Sequence, residues 1–256
     1  MSETLRLIID GKTCTCEKGE YLLEIAKRNG IKIPSLCYHE GLSGLGACRV
    51  CVVEVIERGY SKVVISCIYP VTSEIEVFTN NDKIQEMRGV ILALLSRLAP
   101  NSKKIKKLAS FNRVDLPRLK DKEGGDTCVL CGRCVTACEM LGTGAIAKVN
   151  RGVTKEIATP YQEPSVECIG CGSCAFICPT DSIASVQTED SFTIWDKTFE
   201  MQRCSECGEA FCTRAKFEYL QSKQEEPLLS LCGECEKKAV ARKVADASKV
   251  YPEVKE

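Results

Sequence analysis

Apolar and polar residues alternate from Leu5 to Ile9, an Asp10-Gly11 pair follows, and Lys12 to Cys16 alternates again. Period-two alternation lays one face of each segment against a core, and Asp-Gly tolerates positive φ at both positions, so the stretch predicts two strands joined by a type I′ turn. From Tyr21 to Asn29 the spacing turns helical, with Leu22, Leu23, Ile25 and Ala26 apolar and Gly30 at the stop position. Cys51–Ile56, Lys62–Ile68 and Glu74–Phe78 read as further strands, so residues 1–80 predict an α+β unit of β-grasp type. Asn81 or Asp82 caps a helix running to Leu98, where Met87, Val90, Ile91, Leu94, Leu95 and Leu98 predict a core-facing stripe that Pro100 ends. Residues 81–122 thus read as a helical linker, and Asp121 to Asp126, with Gly124 and Gly125, as the loop at its end. The basic run Lys103 to Lys107 reads as a solvated helix face, with a docking patch for an acidic partner as the alternative. Beyond it cysteines replace periodicity, until Lys237–Lys249 reads as a final helix.

Composition changes the picture at one point. Of 256 residues, 19 are Cys and only one is His, while aromatics make up 6%. No basic and apolar leader follows Met1, and no apolar run is long enough to span a membrane, so the reducing cytoplasm is expected. There, dense cysteine spacing means metal rather than disulfides, and several small cores must lean on it. Lys plus Arg and Asp plus Glu both number 35, and this balance gives no electrostatic footprint for nucleic acid.

The strongest chemical signal is a doubled run. Cys128, Cys131, Cys134 and Cys138 are followed by Cys168, Cys171, Cys174, Cys178 and Pro179, C-x2-C-x2-C-x3-C twice, the bacterial spacing for two [4Fe–4S] clusters in a domain spanning 123–192. Three thiolates on one tight loop each reach a different iron, and the last Cys of each run ligates the other cluster. The expected sets are therefore Cys128, Cys131, Cys134 and Cys178, and Cys168, Cys171, Cys174 and Cys138. Upstream, Cys37, Cys48, Cys51 and Cys67 have the spacing C-x10-C-x2-C-x15-C, a plant-type [2Fe–2S] pattern with a lengthened first gap. Gly41, Gly44 and Gly46 in that gap let backbone N–H groups reach the sulfurs. The G-L-S-G-L-G stretch lacks the strand, helix and acid that frame a dinucleotide loop. Cys14 and Cys16 read as small buried residues. In 193–256, Cys204, Cys207, Cys232 and Cys235 form two C-x2-C knuckles, a four-Cys zinc arrangement in a small zinc-ribbon-like tail. Cys212 reads as a spare thiol, an exchanged zinc ligand, or part of a further cluster.

The stretches Ile33 to His39 and Gly46 to Val55, and then the two four-Cys runs, resemble in order the N-terminal part of the large iron–sulfur subunit of respiratory complex I. They are equally similar to the diaphorase iron–sulfur subunit of NAD-linked hydrogenases and to the start of electron-bifurcating iron-only hydrogenases. The family's cluster with one His and three Cys ligands has no ligands here: His39 is the only His, and no Cys lies between Cys67 and Cys128. The resemblance implies a non-catalytic electron-transfer subunit of a soluble NAD(P)H-linked complex. Implied partners are a flavin- and NAD(P)H-binding subunit, a small thioredoxin-like [2Fe–2S] subunit, and a hydrogenase or other catalytic module or a ferredoxin. Two rivals remain: the iron–sulfur subunit of a succinate dehydrogenase or fumarate reductase, whose first loop is the shorter C-x4-C, and a non-redox iron–sulfur and zinc scaffold.

Overall fold

The computed structural model describes residues 3–42, 44–112 and 127–250. The loop expected over 121–126, and with it the division at 122, lies outside them. The strands β1 (Thr4–Ile9) and β2 (Lys12–Glu17) pair antiparallel across Asp10-Gly11, both left-handed at φ 49° and 80°, the expected type I′ turn. Helix α1 (Leu22–Arg28) then precedes β3 (Val52–Glu57), β4 (Tyr60–Ile65) and β5 (Glu76–Phe78). The sheet order is β2-β1-β5-β3-β4, with β1 parallel to β5 and its other pairs antiparallel. Leu7, Ile9, Leu22, Ile25, Val53, Val55 and Val77 are buried between sheet and α1, and each such side chain contributes roughly 1.5–3 kcal/mol. Cys14 and Cys16 belong to this core.

Helix α2 (Asp82–Leu98) is capped by the Asn81 side chain, which accepts from the Ile84 N–H at 3.0 Å. Its buried face differs from expectation. Ile84, Arg88, Leu92 and Ala93 are buried, while Met87, Val90 and Leu94 are exposed. The stripe is rotated because an arginine occupies a core position, which an apolar pattern does not register. Helix α3 (Lys103–Phe111), capped by Ser102, buries Ile105 and Ala109 and exposes its four lysines, the solvated face.

The second half holds α4 (Arg133–Met140), the hairpin β6 (Ala147–Val149) and β7 (Glu156–Ala158), and the single turn α5 (Ser173–Phe176). Then come β8 (Ser185–Gln187), β9 (Ser191–Ile194), β10 (Lys197–Arg203), β11 (Ala210–Thr213), α6 (Arg214–Gln221) and α7 (Gly233–Val250). Strands β8 to β11 form one antiparallel sheet in chain order. A division between residues 192 and 193 therefore falls inside β9, because the pairing of β8 with β9 carries the sheet from the cysteine runs into the tail. The tail is also bonded back onto those runs. Thr213 Oγ1 donates to the Ile169 carbonyl at 2.6 Å, and Tyr219 Oη to the Leu141 carbonyl at 2.7 Å. Among the described residues no helix is long and apolar enough to cross a membrane.

Candidate metal centres

The N-terminal cysteines come from different local structures. Cys37 and Cys48 flank the glycine-containing loop, Cys51 immediately precedes β3, and Cys67 lies in the 3-10 turn Ser66–Ile68 after β4. All four are buried, at 0–2% exposure. Their side chains bond one another: Cys37 contacts Cys48 and Cys67, and Cys67 contacts Cys51. Bonds from Cys48 and then Cys67 push the Cys37 thiol far down, and the bond from Cys67 holds Cys51 at about 7. The Cys48 N–H donates to Cys37 Sγ at 3.4 Å, and the Gly46 N–H bonds Cys67. Gly44 is fixed by close approach, since a Cβ there would stand 1.9 Å from the Cys67 carbonyl oxygen.

Arg88 completes this site and escaped sequence reading. Its side chain is buried, with Nε donating to the Val50 carbonyl at 3.2 Å and Nη2 to the Val52 and Thr79 carbonyls at 3.0 Å each. Those first two carbonyls bracket Cys51, so the guanidinium clamps the cysteine-bearing end of β3. Burial lowers its pKa, and Cys51 is the charge that opposes this.

The two four-Cys runs interleave. A cavity of about 190 Å³ is lined by Cys128, Cys131, Cys134 and Cys178, and a tighter one of about 20 Å³ by Cys138, Cys168, Cys171 and Cys174. Each wall thus takes three cysteines from one run and the last cysteine of the other. Gly132 and Gly172 stand at matching places, left-handed at φ 82° and 73°, and turn each loop into the short helix that follows. At the residue two before each glycine, Leu130 (φ 51°) and Gly170 (φ 64°) are left-handed too. Backbone N–H groups aim at sulfur: Leu130 to Cys128 at 3.4 Å, Ala145 to Cys138 at 3.2 Å and Ser182 to Cys178 at 3.3 Å. Burial pushes the Cys134 thiol up to about 12 and that of Cys174 to about 11.

The centres share walls. Leu36, Cys37, Cys48, Val50, Leu92, Val129 and Cys131 form one apolar cluster, and Arg133 Nη1 donates to the Leu36 carbonyl at 3.3 Å. Trp195 lines both cysteine cavities of the second region. Neither residue carried a readable signal, because long-range packing leaves no mark in local spacing.

In the tail, the Sγ atoms of Cys204, Cys207, Cys232 and Cys235 all lie within 4.8 Å of one another. N–H groups of Cys232 and Cys207 hold the Cys204 thiol at about 6, which favours the thiolate a metal needs. Cys212 sits in β11 outside this group, and burial pushes its thiol up.

Residues 2–82 match the 2Fe-2S iron-sulfur cluster binding domain family, and residues 127–182 the 4Fe-4S dicluster domain family. The chain is 32% identical over 212 residues to the NADP-reducing hydrogenase subunit HndD of Solidesulfovibrio fructosivorans, covering 70% of this chain and 36% of that one. It is 29% identical over 205 residues to the NADH-ubiquinone oxidoreductase 75 kDa subunit of Reclinomonas americana, covering 71% of this chain and 29% of that one. The chain thus spans about a third of these relatives' length. Its fold is similar to a chain in the crystal structure of NAD+-reducing [NiFe]-hydrogenase in the H2-reduced state, with a TM-score of 0.53 at 22% identity, covering 60% of this chain and 74% of that one.

Proposed function

We propose, from the premise that this is an iron–sulfur chain homologous to subunits of hydrogenases and of NADH-ubiquinone oxidoreductase, that it conducts single electrons between other subunits. In this reading the N-terminal unit is a β-grasp ferredoxin domain with a [2Fe–2S] cluster on Cys37, Cys48, Cys51 and Cys67. The second unit is a two-cluster ferredoxin domain with one [4Fe–4S] cluster on Cys128, Cys131, Cys134 and Cys178 and another on Cys138, Cys168, Cys171 and Cys174. A zinc ion on Cys204, Cys207, Cys232 and Cys235 braces a zinc-ribbon-like tail, being redox-silent.

The donor chemistry fits these groups: each set offers four thiols, with backbone N–H groups aimed at sulfurs in every set. Bound clusters would supply one-electron storage. The chain's own residues hold the thiolates in register, donate hydrogen bonds to them and exclude water, which is how a protein tunes a cluster. The carrying observation is the sharing of walls, first to second through the cluster of Cys37, Cys48 and Cys131, second to third through Trp195. Separate structural clusters in a scaffold would not need to be strung together.

By the same reading the partners are a flavin- and NAD(P)H-binding subunit on one side and, on the other, a catalytic module such as a hydrogenase, a small thioredoxin-like [2Fe–2S] subunit or a ferredoxin. Crossed ligation is tested with Cys178→Ala and Cys138→Ala. The first variant should alter the electron paramagnetic resonance (EPR) signal of the Cys128–Cys131–Cys134 cluster and the second that of its neighbour. If each instead alters the cluster of its own run, the two lobes are independent sites and the conduction argument loses its basis.

A further inference from the structure

Trp195 is the only tryptophan of the chain, and it stands at the tip of the β9–β10 hairpin. Ile194 pairs with Lys197 there, leaving Trp195 and Asp196 as the two turn residues. Both are left-handed, at φ 53° and 56°. Glycine and asparagine favour that type I′ geometry, and a bulky aromatic holds it only when its surroundings over-determine it. Those surroundings are the cysteines. The indole packs against the buried cluster of Cys134, Val135 and Ile146, as Cys138 and Cys174 do, and its Nε1–H donates to Cys174 Sγ at 3.5 Å. Two residues on, Lys197 Nζ donates to the Ser165 and Cys168 carbonyls at 2.8 Å each, pinning the hairpin to the same cysteine run.

We infer that Trp195 is a positioning residue: its indole N–H raises the reduction potential of the centre on Cys138, Cys168, Cys171 and Cys174, and its ring is the wall through which the two centres face one another. The inference rests on the reading that each cavity holds a [4Fe–4S] cluster. A donor at a ligand sulfur stabilises whichever state carries more negative charge, and that is the reduced one. Only one of the two cavities has this donor on a lining cysteine, so the effect is selective. A tail that merely braced the fold would need neither a strained tryptophan nor an N–H aimed at sulfur.

The experiment uses the full chain, reconstituted anaerobically with iron and sulfide and grown with indole-15N tryptophan. Because the chain has a single tryptophan, any indole 15N coupling reports Trp195. Pulsed EPR of the reduced protein should show that coupling on the one [4Fe–4S] signal that Cys138→Ala alters, and not on the other. In a redox titration, Trp195→Phe keeps a ring and removes the donor. It should lower the reduced-to-oxidised ratio of that cluster about three- to tenfold at fixed potential, tenfold being about 59 mV for one electron, and leave the other cluster unmoved. Absence of 15N coupling on both signals overturns the inference, as does a Trp195→Phe protein that titrates like wild type. If the variant does not assemble its clusters, the labelled wild-type protein decides alone. A wild-type chain developing fewer than two [4Fe–4S] signals overturns the two-cluster reading itself, and the inference with it.

Discussion

The first and second cysteine regions hold four-thiol sets by opposite means. Around Cys37, Cys48, Cys51 and Cys67 a five-stranded sheet and α1 supply an extensive apolar core, and the four thiols are buried in it and in the adjoining cluster around α2. Around the interleaved runs the local core is a cluster of Cys134, Val135 and Ile146, with Ala145, Ala158 and Ile177 buried beside it, and α4 and α5 are eight and four residues long. Ordering the backbone costs roughly 1–2 kcal/mol per residue, and so small a core does not offset that over the loops. In the proposed reading the difference teaches that metal plays two roles in one chain: a guest in a fold with its own core, and a folding ligand where the core is thin.

The largest expected effect breaks the chain along this line. Stripping iron anaerobically with a chelator should abolish amide-exchange protection across 128–178 while β1 to β5 keep theirs; equal loss in both regions would erase the distinction. Next comes Gly44→Ala, where the added methyl meets the backbone of Cys67. Relief requires moving a ligand, so about 3 kcal/mol of stability and the [2Fe–2S] signal should be lost, with both [4Fe–4S] signals retained. Arg88→Met should follow, leaving the Val50, Val52 and Thr79 carbonyls unpaired at about 2–3 kcal/mol in denaturant unfolding. The smallest is Tyr219→Phe, which removes the bond to the Leu141 carbonyl. It should cost about 1 kcal/mol and be felt in the second region alone, as faster exchange in α4 with β1 to β5 unchanged.

These residues also mark what could be read in advance. Period-two alternation and Asp10-Gly11 yielded β1 and β2, helical spacing before Gly30 yielded α1, and cysteine spacing picked out the thiols that line the cavities, because each signal is local. The buried face of α2 is rotated from the apolar stripe because Arg88 enters the core as a polar residue whose partners, Val50 and Val52, lie almost 40 positions away. Trp195 has no local mark of its role in the sequence, since its φ and its bond to Cys174 exist only in the assembled fold. The tail looked separable for the same reason: the bonds from Thr213 and Tyr219 that dock it are made to distant backbone carbonyls. At position 130 spacing gave no warning either, because Leu130 adopts the left-handed conformation that Gly170 adopts in the matching loop.

Metal content measured together with EPR bears most directly on the central claim of three wall-sharing iron–sulfur centres and a redox-silent brace. Anaerobically purified or reconstituted protein should carry about ten iron and one zinc per chain, with all three cluster signals reducible. Iron near fourteen with no zinc would put a further cluster in the tail, and clusters that resist both dithionite and a reduced partner would contradict conduction altogether.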